Sequence, residues 1–489
     1  MRTALVLLFL LALAAVPGSL LPQSGLNPAK VAAYRRSHPA LAPILERLGF
    51  FEVFASPWFA AIYLLLFISL IGCIVPRVRL HGRALRRPPP AAPRHLDRLR
   101  HSERFHTALP AGEVVDQARA VLRGWRVAHR EEASGAVTLS AERGYLRETG
   151  NIVFHVALSV LLAGVAIGKL WGYQGSVLVE EGRGFCNTVQ SFDQFSAGPI
   201  IRGAGLTPFC VDLATFRATY DPDGTPSDFA ATIRYTPADG TPRDDVLQVN
   251  HPLRLQGVRV YLISHGFSPR FTITTAAGQT FRGISAPFLP QDGNLTSEGA
   301  VKLPDARPDQ LAIDGLFAPT AVDSGDGVIS SGSPQPFNPA VAIFLYRGQL
   351  GLDTGRAQSV YSLDQGQIAA GALKKVGAKN LHPGEALVLA DGTSVRFDGY
   401  LQWASMQVSR DPGQSVVLVA FGFLLVGLTL SLSIRRRRVW LRVSEAPGAD
   451  GGGAGRSVVE VGGLARSEAG GFTREFGQLV ERLRQSRKD

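Results

Sequence analysis

The stretch from Arg147 to Tyr173, RETGNIVFHVALSVLLAGVAIGKLWGY, constrains this chain more than any other. Its middle is apolar for about 20 residues, enough to cross a hydrocarbon core about 30 Å thick as a helix. Gly164, Gly168 and Gly172 recur at i, i+4 and i+8. At helical pitch they form a smooth stripe where another helix can approach closely. His155 lies nine residues before Gly164, and at about 100° per residue that places it on the opposite face. A histidine inside a span is costly unless it pairs, hydrogen-bonds or binds something. Position alone supports two readings equally. His155 is a ligand, or it is a residue about 6 Å inside the boundary that reaches the interface or bonds a neighbouring hydroxyl.

Three further apolar runs, Thr3–Leu21, Pro57–Val75 and Ser415–Ile434, join Asn151–Leu170 as candidate spans. Arginines at 77, 79, 83, 86 and 87 follow the second run, Arg143 and Arg147 precede the third, and Arg435–Arg438 follow the fourth. By the positive-inside rule these ends are cytoplasmic, so both termini are inside and the segment from 174 to 413 is outside. The net charge of +11 is then a topology signal. The arginines flank membrane ends instead of interleaving with aromatics on one face, so no nucleic-acid partner is expected. Arg2 and the Ala12-Leu13-Ala14 pattern also fit a cleavable signal peptide, but the apolar stretch continues to Leu21 and favours a retained anchor.

Between the first two spans, Asn27–Ser56 reads as two short helices, each opened by a proline. The second carries Leu45, Leu48 and Phe51 for packing. A stiff proline-rich linker, ALRRPPPAAPRHLDR, is expected after span two. Glu103–Arg143 then follows strand, helix, strand, strand patterning. The tail from Val439 to Arg484 supplies two strands around a flexible PGADGGGAG and one amphipathic helix. The two pieces are expected to pack into one small α/β unit.

From 174 to 413 short alternating runs such as SVLVEEG, FCVDLATFRATY and QWASMQVSR are broken by DPDG, TPADG and LPQDG turns, a pattern of an all-β sandwich or barrel. The Gly-, Pro- and Ser-rich part from Leu289 to Phe337 reads as an insertion or long loop. Of three cysteines, Cys73 falls in the second span and reads as a buried apolar residue, whereas Cys186 and Cys210 fall outside, where a disulfide is permitted. The fold class predicted is a membrane protein with four transmembrane α-helices, a large extracytoplasmic all-β domain and a small cytoplasmic α/β unit. Its expected parts are spans 3–21, 57–75, 151–170 and 415–434, an outside loop 22–56, a cytoplasmic segment 76–148, the β domain 174–413 and a tail 435–489.

Catalytic signatures are missing: no Walker A loop, GxSxG, HExxH or dinucleotide fingerprint occurs, and no CxxC or CxxCH. The chain is therefore not expected to be an enzyme on its own. His251 in VNHPL and His265 in ISHGF read first as surface or hairpin-end residues. With His155 they are the best candidates for haem, because imidazole is the usual axial ligand to haem iron.

TALVLLFLLALAAVPGSLLPQ, SPWFAAIYLLLFISLIGCIVPR, the third span with its flanks, VNHPLRLQGVRVYLISHG and SRDPGQSVVLVAFGFLLVGLTLSLSIRRRRVWLRV occur in that order. Together they resemble the ResB family, the four-span component of system II cytochrome c assembly. The resemblance implies a multi-pass protein of the cell membrane, partnered by a ResC-type (CcsA-type) membrane protein. Such a complex carries haem b across the membrane, transiently and shared between subunits, and presents it to apocytochrome c for covalent attachment. Thiol-reducing membrane proteins and membrane lipid are further partners. A membrane histidine of the family maps onto His155, and His251 lies in the family's N-x-P-L motif. The alternative from another class is a cell-envelope receptor or interaction protein with an extracytoplasmic β domain, which predicts no haem absorbance.

Overall fold

The computed structural model describes residues 2–24, 28–201, 205–221, 224–323, 327, 329–355, 358–445, 457–465 and 471–485. Asn27, the PGADGGGAG segment and the last four residues lie outside that set. In chain order the helices are α1 (Arg2–Leu20), α2 (Pro28–Ser37), α3 (Ala42–Arg47), α4 (Pro57–Arg86), α5 (Ala111–Val121), α6 (Leu146–Trp171), α7 (Gln365–Ala369), α8 (Gln414–Ser433) and α9 (Phe472–Gln485). Among the described residues, α1, α4, α6 and α8 are long and apolar enough to cross a membrane. The chain divides into two compact units: residues 1–166 with 413–489, and residues 167–412.

In the first unit, Ser56 caps α4 through its hydroxyl, which accepts from the Phe59 amide at 3.3 Å, with Pro57 at the first turn. The helix then runs well past the expected end at Val75. It passes Pro76 and continues through Arg77–Arg86, where Arg, Leu and Ala, good helix formers, outnumber Val78, His81 and Gly82. It stops where Arg87 turns extended, because a residue followed by proline disfavours the helical region. The helix therefore takes in Ala84–Arg86, the first three residues of the expected linker. The linker is strapped down: Arg130 donates to the Pro89 carbonyl at 2.7 Å, Trp440 Nε1 to Pro90 at 3.1 Å and Arg442 to Pro93 at 3.0 Å. In the loop after α1, Leu45 and Phe51 pack with Val31 and Tyr34. Leu48 does not join them and is 51 % exposed.

Chain segments from before α6 and after α8 share one antiparallel sheet. Its strand order is His101–Thr107, Ser457–Ala465, Arg437–Glu445, Val137–Arg143, Arg126–Glu131. Leu441 pairs with Leu139 on one side and Val461 on the other. Apolar residues of one sheet face bury Val114, Val115 and Ala118 of α5 with Phe472, Phe476 and Leu479 of α9. Each such side chain contributes about 1.5–3 kcal/mol on burial, and neither helix has that surface to pack on without both chain segments.

The second unit is β-rich. Two 17-residue strands, Val258–Thr274 and Ser394–Arg410, pair over their length and form the spine of a seven-stranded sheet. At one end Val258, Val260, Met406 and Val408 face the four-stranded sheet and its Leu213 and Ile233. At the other end Phe271, Ile273, Val395 and Phe397 pack with Ile313, Phe317 and Ile343 of a five-stranded sheet. Trp403 fills the middle, its Nε1–H shared between the carbonyls of Phe267 at 3.1 Å and Phe288 at 3.2 Å. The reading of 289–337 as a loop is corrected here. Ser297–Leu303 and Gln310–Ala318 are strands of the five-stranded sheet, and Val301, Leu311, Ile313 and Phe317 are core. Turn-forming residues dominate that composition, but the intervening apolar residues are buried by a strand distant in sequence, Ala340–Gly348.

Candidate functional site

His155 is half-buried on α6. Its ring packs edge-on to Phe154 at 5.1 Å. Nδ1 lies 2.7 Å from the Asn151 carbonyl, one helical turn earlier. A carbonyl only accepts, so Nδ1 carries a proton, and in the neutral ring Nε2 is the nitrogen with the lone pair. Among the described residues Nε2 has no hydrogen-bond partner. The imidazole lines a groove of about 130 Å³ whose other walls include Leu5 of α1, Leu70, Cys73 and Arg77 of α4, and Ile152 of α6. Cys73, read from sequence as a buried apolar residue, is a half-buried free thiol in this groove. The donor set suits haem iron: one imidazole, apolar walls and an arginine. The enclosed space is well below the roughly 300–1,000 Å³ of complete small-molecule pockets.

The glycines of α6 divide. A Cβ on Gly164 would stand 2.9 Å from Val417 Cγ2 of α8, so helix contact occurs there. Gly168 instead abuts the Asp411 carboxylate, and Gly172 lies beyond the helix end against the carbonyls of Gly168 and Arg410. Another close helix approach was not read from sequence. A Cβ on Gly150 would lie 2.8 Å from the Gly427 carbonyl oxygen, and one on Gly427 would lie 2.5 Å from the Phe154 amide. The expected stripe thus continues with Gly150 and Gly427, and not through Gly168 and Gly172.

His251 is exposed, in a turn where Asn250 has φ 66°. Its Nδ1 is 3.4 Å from the Val249 carbonyl, and it borders a cavity of about 420 Å³ with Asp228, Phe229 and Gln248. His265, expected at a hairpin end, is buried in the middle of a long strand. It stacks on Phe216 at 4.9 Å, tilts against Phe229 at 4.7 Å and bonds Tyr220 Oη through Nε2 at 3.0 Å. Burial pushes its pKa down to about 4 and that of Tyr220 up to about 12. Cys186 and Cys210 are cross-strand neighbours joined by a disulfide that closes a 24-residue separation. Among the described residues no group of three His, Cys, Asp or Glu side chains is disposed to hold a metal ion.

The model of the ResB-like family matches residues 1–477. The chain belongs to the ResB-like family. Relatives named cytochrome c biogenesis protein CcsB align over nearly their whole length. The one from Synechococcus sp. strain CC9605 is 27 % identical over 490 residues, covering 99 % of this chain and 95 % of its own. That of strain CC9311 is 24 % identical, covering 100 % and 97 %. That of Prochlorococcus marinus strain MIT 9303 is 26 % identical, covering 98 % and 95 %. The names tie this family to cytochrome c biogenesis.

In this ResB-like chain a second histidine belongs to a long apolar helix. His81, on the unforeseen extension of α4, is buried. Its Nε2 meets Thr149 Oγ1 at 2.9 Å and its Nδ1 stands 3.7 Å from Glu148 Oε2. Nearby, Glu142 has a fully buried carboxylate that accepts from Tyr145, Arg436 and Arg438, the last at 2.9 Å. Burial works against its charge, and these donors outweigh it and hold the pKa below the ordinary value. Arg436 also pairs with Glu148. Sequence carried only a basic run for these groups. Their acidic partners stand almost 300 residues away in the chain.

Proposed function

We propose that this protein acts in cytochrome c biogenesis as a membrane component that handles haem with a polytopic ResC-type partner. His155 is the haem-handling residue. The carrying observation is the Nδ1–H to Asn151 carbonyl bond. It holds the ring and keeps Nε2 basic inside an apolar groove, the state an axial ligand requires. Haem, the cargo, is largely apolar and suits the walls of α1, α4 and α6, while Arg77 offers a cation near its carboxylates. The small enclosed volume supports a shared site in which the partner supplies the second wall and second ligand.

The arginine-flanked ends of α4, α6 and α8 support a topology with both termini cytoplasmic and the β-rich unit outside. His155 then stands near the cytoplasmic face, where haem made inside the cell arrives. The β-rich unit receives or shields haem for attachment to apocytochrome c. His251, exposed beside a cavity of about 420 Å³, is a secondary candidate for contact with haem on that side. Spectra of the complex co-purified with its partner test the reading. Wild type should show a bis-axial haem Soret band, and His155→Ala should lose most of it at unchanged protein yield. Unchanged haem content and normal c-type cytochromes in the variant would remove His155 from the mechanism. A deletion strain with normal c-type cytochromes would return the chain to the receptor class.

A further inference from the structure

Where α6 begins and α8 ends, the first unit encloses an open cavity of about 690 Å³. Its lining joins apolar Leu146 and Ile434 to the cationic Arg126, Arg143, Arg435 and Arg437. Among the described residues the only acid in the lining, Glu142, is already taken by Tyr145, Arg436 and Arg438. Arg437 pairs with Glu475 from α9, and Arg126 donates to the Ala84 and Arg87 carbonyls at the end of α4. Arg143 is exposed and has no ion pair among the described residues. Burial first, and then the like charges of Arg435 and Arg143, push the Arg437 pKa down. The cavity is also built. Gly144 has φ 92°, and an added Cβ there would collide with the Arg435 carbonyl. Only glycine lets the two chain segments approach closely enough to bring Arg143 and Arg435 to one cavity.

Clustered guanidinium groups at the ends of two apolar helices match a phosphate that is itself attached to an apolar tail. We propose that this cavity binds the phosphate headgroup of an anionic phospholipid, seated between the start of α6 and the end of α8. Guanidinium forks hold the phosphate oxygens, and the acyl chains pass Leu146 and Ile434 into the bilayer. The ligand would bridge the two chain segments that enter the sheet, Val137–Arg143 and Arg437–Glu445.

The full chain, reconstituted in phosphatidylcholine nanodiscs with a minor share of phosphatidylglycerol, tests this by mass spectrometry of lipid retained after detergent extraction. Wild type should retain phosphatidylglycerol above its share in the disc. Arg143→Gln removes a cation that holds no internal partner, and should lower that retention by about fivefold, the worth of one arginine near a charged lipid. Arg83→Gln, an exposed arginine of α4 outside the cavity, should retain the wild-type amount. If Arg143→Gln does not fold, Arg435→Gln replaces it with the same expectation. Equal retention in wild type and the cavity variant, or equal loss in both arginine variants, would overturn the proposal. So would displacement of the lipid by millimolar inorganic phosphate, which would mark a site for soluble phosphate. An Arg143→Gln protein that loses haem from the complex but keeps its lipid would assign the arginines to haem carboxylates instead. His155→Ala should leave lipid retention unchanged, which separates this outcome from that of the haem site.

Discussion

His265 Nε2 and Tyr220 Oη stand 3.0 Å apart inside an aromatic nest of Phe216 and Phe229. Desolvation keeps the imidazole neutral, with a pKa lowered from 6.5 to about 4. The unfolded chain therefore binds more protons between those values, and stability falls as pH drops through that window. The full loss is on the order of 3 kcal/mol below pH 4. Thermal unfolding of the β-rich unit followed against pH should show this slope, and His265→Phe should flatten it. An equal slope in the variant would place the titration elsewhere.

The α6–α8 crossing rests on Gly150 and Gly427 more than on Gly168. Gly150→Leu or Gly427→Leu would force helix backbones apart, because the atoms met there include main chain at 2.5–2.8 Å. We expect lower recovery of folded protein from membranes, by several-fold. Gly164→Leu should do less, since it meets Val417 and Val416 side chains at 2.9 and 3.1 Å that have some freedom to shift. Gel filtration in detergent ranks the three. A ranking led by Gly164 would contradict the geometry.

Glu142 is the buried anion between two arginines. Glu142→Gln leaves Arg436 and Arg438 without their charge partner, and should destabilise by about 3–5 kcal/mol. For the wild type, the lowered carboxyl pKa means that this stabilisation is present at neutral pH and lost as pH falls through the folded-state value. Limited proteolysis between Arg437 and Gln485 reports it. Protease resistance equal to wild type would refute the role.

Removing the disulfide through Cys186→Ser and Cys210→Ser should cost about 3 kcal/mol in the chain-entropy estimate and leave c-type cytochrome production measurable. Loss of all cytochrome c with the β-rich unit still folded, judged by circular dichroism and chemical denaturation, would instead indicate a redox role.

The partial rescue of His155→Ala is a sharper test than its loss. Free imidazole in the medium should restore part of the haem retained by the complex, since it can occupy a vacated iron position. Asn151→Ala should leave haem retention nearly intact, because the backbone carbonyl, not the side chain, orients the ring. If imidazole restores nothing, the lost haem reflects a packing defect.

Sequence alone determined what is local. An apolar run of about 20 residues has to satisfy its own backbone as a helix in lipid, so α1, α4, α6 and α8 were legible. Alternation likewise marked strands such as Cys210–Tyr220. The family was legible because several weak motifs keep their order along the chain. Tertiary structure decided whatever depends on a partner far along the chain. The strand Gln310–Ala318 looks like loop until Ala340–Gly348 pairs with it. His265 looks like a hairpin end until Phe216 and Phe229 cover it. The helix crossing at Gly150 needs Gly427, and four arginines in a row read only as a membrane flank until Glu142 selects Arg436 and Arg438. Burial and charge pairing are properties of neighbours in space, and a residue's own identity does not specify who those neighbours are.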